Sequence, residues 1–249
     1  MASQASLLRQ PSSRSPDRGG TRLQLLDAFE LLRDGVPVPL PLSAQRLLAF
    51  VALQSRRLLR VHVAGMLWLD VSEERAFANL RSALWRLRQC GLPLIDATST
   101  SLGLDASVEV DVHDAAALAR RLIAGEGLIE GSPGTSALGS VLLPDWYDDW
   151  VLMDRERYRQ LTLHALEALA NRLAACGRYG EAAEAALLAI AGEPLRESAH
   201  RTLIGVHLAE GNRSEALKQY ERYRDLLQHQ LGLSPSQRMA ELCFELTQR

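Results

Sequence analysis

The hexapeptide Gly177-Arg178-Tyr179-Gly180-Glu181-Ala182 returns 34 residues later as Gly211-Asn212-Arg213-Ser214-Glu215-Ala216. A period of that length marks stacked helix–turn–helix units, each too small to bury its apolar face alone. The segment before the first turn carries Leu166, Leu169, Ala170 and Leu173, and the segment after it carries Ala182, Ala186 and Ala189 ahead of Pro194. Small residues at such places let paired helices approach closely. The second unit keeps Leu203 and Ala216 but sets Tyr220 and Tyr223 where small residues stood, and it runs without a closing Pro to Leu233-Ser234-Pro235-Ser236. His200 and His207 share a face of its first helix, where packing explains them. Residues 106–249 are therefore expected to form an all-α, tetratricopeptide-like domain, broken by a Gly- and Ser-rich gap over 125–140.

The first half has a different grammar. Residues 1–21, rich in Ser, Pro, Gly and Arg without periodicity, read as a disordered tail. Short apolar stretches over 22–42, broken by Asp34-Gly35, fit two or three strands with a hairpin turn. Ser43 is placed to cap a helix reaching about Gln54, and a second helix spans about 61–69. Ser72, followed by Glu73 and Glu74, starts a third that Gly91 and Pro93 stop. Residues 94–104 form a hairpin with a polar tip, and Val108, Val110 and Val112 alternate as a further strand or a linker. Strands, three helices and a hairpin in that order make a winged helix over 22–105, so the chain as a whole is mainly α with an α+β N-terminal part.

Charge divides along the same boundary. Residues 1–105 carry 13 Arg against 9 acids, a balance of +4, whereas the remainder is at −6. Lys218 is the only Lys, so an Arg here informs by its position more than by its presence. No apolar run reaches the ~20 residues of a membrane span, and no signal peptide precedes the domain, which points to the cytoplasm. Cys90, Cys176 and Cys243 have neither a CxxC pattern nor metal spacing. No phosphate-binding loop, dinucleotide fingerprint, HExxH or GxSxG occurs, so neither catalysis nor a cofactor or metal is expected. The cluster of Asp145, Asp148, Asp149 and Asp154 with Trp146, Tyr147 and Trp150 could form a metal or sugar site, but it reads better as a helix N-terminus, with acids at the dipole and aromatics packed inward.

On a helical wheel the third helix of the first half buries Phe77, Leu80, Leu84 and Leu87 in one arc. Opposite stand Ala78, Ser82, Trp85, Arg86 and Gln89, with Arg81 and Arg88 flanking one side of the stripe and Asn79 the other. One reading is a solvated face whose Trp is covered by the wing or the other domain. The sharper one is a helix offered to the DNA major groove, where Arg reads guanine edges, Ser and Gln add hydrogen bonds, and an aromatic ring packs on a thymine methyl or a sugar. Supporting phosphate contacts are expected from Ser43 and Arg46, from Arg60 beside Arg56 and Arg57, and from Thr98, Ser99 and Thr100 at the hairpin tip. Double-stranded DNA is the expected partner.

Leu67-Trp68, Ala76, Asn79-Leu80-Arg81, Leu87-Arg88, the hairpin, Val110-Asp111-Val112 and Asp148-Asp149-Trp150 together resemble the antibiotic regulatory proteins of the SARP type. These join an OmpR/PhoB-like winged helix to a bacterial transcriptional activator domain, and the resemblance covers residues 22–249. It implies an activator that binds promoter repeats as a pair of protomers and recruits RNA polymerase to biosynthetic operons. The chain departs from that pattern in having Ser101-Leu102-Gly103-Leu104 after the hairpin tip, and Trp85 where a smaller residue is common. The competing expectation is a helical-repeat adaptor between proteins, carrying a degenerate winged helix. The first 102 residues are expected to retain weak DNA affinity on their own.

Overall fold

A computed structural model describes residues 20–126 and 135–247. The expected N-terminal tail lies outside this range except at its end, where Thr21 already opens β1 (Thr21–Gln24). Strands β2 (Glu30–Arg33) and β3 (Val36–Pro37) complete an antiparallel meander with β1. Asp34 and Gly35 connect β2 to β3 with φ of 50° and 79°, the paired positive values of a tight hairpin turn matched to strand twist.

Pro41 precedes α1 (Leu42–Ala52), so Ser43 is not the cap expected of it. Pro41 sets the extended entry, and its carbonyl accepts the N–H groups of Ala44 and Gln45. A two-residue strand, β4 (Leu58–Leu59), follows, then α2 (Arg60–Leu67), which ends before Leu69, and α3 (Glu73–Gln89). Ser72 occupies the N-cap position of α3, but its hydroxyl makes no capping bond. The first-turn acids Glu73 and Glu74 still face the positive end of the helix dipole. Beyond Gly91, which takes a φ of 72°, the wing hairpin consists of β5 (Ile95–Ala97) and β6 (Ser101–Leu104). It forms a small sheet in the order β4-β6-β5.

Val108 and Val110 are buried around exposed Glu109 in β7 (Val108–Val110), which lies parallel to β1 and completes the order β3-β2-β1-β7. Val112 already belongs to α4 (Asp111–Ile123). The first sheet thus continues past residue 105. After α5 (Thr135–Leu138), whose Leu138 is buried inside the expected gap, come α6 (Asp149–Ala175), α7 (Tyr179–Gly192), α8 (Glu197–Glu210), α9 (Arg213–Leu231) and α10 (Gln237–Thr247). The 34-residue period corresponds to the pairs α6–α7 and α8–α9, with Gly177 and Gly211 both at positive φ in the turns. Ala182, Ala186 and Ala189 are fully buried, as close helix approach demands. In the second unit Gln219 and Tyr223 fill that space instead, with Tyr223 set 4.4 Å from the ring of His200.

The two halves share a core. Leu142, Leu143, Trp150, Val151 and Tyr158 belong to the same apolar cluster as Leu23, Leu47 and Phe50. The backbone of Asp27 donates to Val141, and Leu143 donates to Leu25. A row of rings runs from Phe29 through Trp146 and Trp150 to Phe50, with neighbouring centroids 5.8, 6.2 and 5.1 Å apart. Arg155 donates to the carbonyls of Leu142, Leu143 and Trp146. Asp111 accepts the backbone N–H groups of Leu25, Leu26 and Val112, fastening the start of α4 to the end of β1. Tyr147 corrects the expected inward packing of the aromatic cluster, being 79% exposed.

Candidate nucleic-acid interface

The amphipathic pattern of α3 divides the helix as its wheel requires. Ala76, Leu80, Ala83, Leu84 and Leu87 are buried, with Phe77 and Asn79 half-buried at the margin. Arg81, Ser82, Trp85, Arg86, Arg88 and Gln89 are exposed. Arg81, Arg86 and Arg88 form no ion pair among the described residues, although Arg46, Arg57, Arg159, Arg178 and Arg196 elsewhere are each matched to a carboxylate. A guanidinium cannot be neutralised by losing its proton, so this face presents fixed, uncompensated positive charge. Arg75 was missed at the sequence level. It is exposed and lies on the Ser82–Arg86–Gln89 stripe, and its i, i+7 spacing to Ser82 was the available signal.

The wing is positioned by the chain between α1 and α2. Because β4 pairs with β6, Arg57 and Arg60 are brought against the hairpin. Arg57 forms an ion pair with Asp96 and donates to the Ser101 hydroxyl at 3.2 Å. Arg60 donates from Nε to the Thr98 carbonyl at 3.0 Å, and its backbone N–H reaches the carbonyl of Thr100 at 2.9 Å. Arg60 also lines an open groove of ≈ 500 Å³ together with Arg81, Ser82, Leu84, Trp85 and Arg88. The structure therefore gathers Arg60, Arg81, Ser82, Trp85 and Arg88 around one concavity beside the hairpin.

The remaining candidates are placed differently. Thr98 is occupied within the turn, its hydroxyl 2.9 Å from that of Ser101 and accepting the Ser101 N–H at 3.0 Å. Ser99 and Thr100 stand exposed at the tip. Ser43 is half-buried in the first turn of α1. Arg46 points to Asp148 across the joint between the halves, and the two form an ion pair with side-chain exposures of 26% and 23%. Asp148 is the N-cap residue of α6, and Asp154 pairs with Arg157 at 3.3 Å while burial raises its pKa. Asp148, Asp149 and Asp154 are thereby accounted for by helix initiation and ion pairing, while Asp145 is exposed ahead of the helix. Among the described residues no group of three His, Cys, Asp or Glu side chains is arranged to hold a metal ion, and no helix is long and apolar enough to cross a membrane.

Residues 106–246 match the family described as the bacterial transcriptional activator domain. The chain belongs to that family. A domain of that family is what the sequence resemblance to SARP-type regulators implied for the second half of the chain. Among solved structures this family member is similar to Mycobacterium tuberculosis EmbR, determined in complex with a low-affinity phosphopeptide. The TM-score is 0.71 at 21% identity, covering 91% of this chain and 65% of the EmbR chain. At that identity the likeness is one of fold: an N-terminal α/β unit followed by helical repeats. No curated protein matches the chain by sequence.

Proposed function

We propose that this regulator binds duplex DNA sequence-specifically, with α3 lying in the major groove, and activates transcription by bringing RNA polymerase to the promoter. The observation that carries the reading is the run of Arg81, Arg86 and Arg88, without an ion pair among the described residues, on an exposed helix face that also displays Trp85. Ser82 and Gln89 share that face and supply further hydrogen bonds to base edges. Ser99 and Thr100 at the wing tip face the sugar–phosphate backbone, and Arg60 holds the wing in place while offering its remaining donors to the groove. Arg46, paired with Asp148, contributes to the joint between the halves and less to phosphate binding. The acidic second half is repelled by phosphate, so its surface serves protein contacts, both to polymerase and between protomers paired on repeated half-sites.

Fluorescence anisotropy of labelled upstream DNA, titrated with the full chain at several salt concentrations, tests this. DNA recognition predicts binding that weakens steeply as salt rises, because displaced counterions are released on association. Absence of binding at low ionic strength would instead support the adaptor reading.

A further inference from the structure

The geometry points to Trp85 as a specificity residue that selects the 5-methyl group of a thymine lying between two guanines read by Arg81 and Arg88. This rests on the DNA-binding reading above and adds a base preference to it. Trp85 is 60% exposed in the middle of α3 and stacks on no ring among the described residues. Trp is enriched at interfaces, where its apolar ring is covered and its N–H finds a partner. Its neighbours in the groove are Arg60, Arg81, Ser82 and Arg88, so any molecule that covers the ring must also satisfy guanidinium groups. Those groups make paired hydrogen bonds to the O6 and N7 atoms of guanine. The indole offers one N–H donor and no acceptor, so it gives nothing to the cytosine amino group. Its broad apolar surface matches the one apolar group the major groove displays, the thymine methyl.

Spacing sharpens the expectation. At ~1.5 Å of rise per residue, Arg88 lies about 10 Å beyond Arg81 along the helix axis, and Trp85 lies about 6 Å beyond it. Base pairs step by ~3.4 Å. A helix running along the groove thus places the two Arg over pairs about three steps apart, with Trp85 over the pair about two steps from the one facing Arg81.

The test uses the full chain and duplexes enriched by it from a random-sequence pool, in which the thymine is then replaced by deoxyuridine, differing only by the methyl group. An A·T pair flanked by G·C pairs at that spacing is expected. Wild-type protein should bind the uracil duplex about 4-fold more weakly, the worth of one buried methyl. Trp85→Ala and Trp85→Gln should bind both duplexes equally; the exposed position makes both substitutions compatible with folding, which circular dichroism checks. Equal wild-type affinity for the two duplexes, or discrimination that persists in both variants, overturns the role of Trp85 and leaves DNA binding intact. Failure to enrich any duplex overturns the DNA reading, and this inference with it.

Discussion

Arg81 illustrates what a single exposed side chain is asked to do. It is exposed and forms no ion pair among the described residues, so Arg81→Ala should leave the unfolding midpoint nearly unchanged. On the enriched duplex the same change should cost about 1–3 kcal/mol and relax selectivity at one base position. Thr100→Ala at the wing tip should instead weaken all duplexes alike, since backbone contacts carry no sequence information. His200 works in the opposite setting. Its ring nitrogens lie 2.9 Å from the Pro194 carbonyl and 2.8 Å from the Gln219 amide nitrogen. Nε2 therefore donates and Nδ1 accepts, which is the neutral tautomer, and burial lowers its pKa. Above pH about 6.5 both folded and unfolded chains carry a neutral imidazole. As pH falls below that value and on through the lower folded pKa, the unfolded chain takes up the proton first and stability declines. Urea unfolding at pH 7.5 and 5.5 should show this loss in the wild type and a smaller loss in His200→Ala, which itself should cost about 1–3 kcal/mol through the unmet Gln219 and Pro194 groups.

At the scale of elements, the exposed face of α3 was legible because seventeen residues give the helical period room to declare itself. The repeat turns were legible for a related reason: glycine at positive φ and small residues one helical turn apart leave a spaced signature. By contrast, β4 holds only Leu58 and Leu59, too short for any alternation, and its pairing with β6, which sets Arg57 and Arg60 against the wing, was not legible. Ser43 misled as a helix start, whereas Ser72 marks its helix start correctly without a capping bond from its hydroxyl. A residue type suited to capping does not reveal whether a neighbouring Pro or first-turn acids already serve the helix start. Asp111 shows a role that spacing cannot disclose, since its backbone partners Leu25 and Leu26 lie more than 80 residues away. Asp111→Ala should strand those buried N–H groups and cost about 1.5–3 kcal/mol, measured by urea denaturation of the full chain.

For the whole molecule the joint between the halves changes what the winged helix is. It is completed by β7, by the backbone of residues 140–143, and by Trp146 and Trp150 from the second half. A fragment ending at residue 102 or 105 would lack the strand that covers β1 and the indole packed on Phe50. Contrary to the sequence-based expectation of independent DNA affinity, that fragment should show little native structure by circular dichroism. The full chain should unfold in one transition that joins both halves, and Trp150→Ala should lower its stability by about 3–5 kcal/mol. Two separate transitions would show that the halves fold independently. Such docking fixes the acidic second half relative to α3, so under the proposed function a protein bound to that half would be held at a set position on the promoter. The proposed function depends on α3 reading bases. The most direct measurement is a paired titration of wild type and Arg81→Ala on the enriched duplex and on a scrambled duplex of the same composition. Base reading predicts that wild type prefers the enriched duplex and that the variant loses affinity there while binding the scrambled duplex nearly as before; equal wild-type affinity for both duplexes, or an equal loss on both, would contradict it.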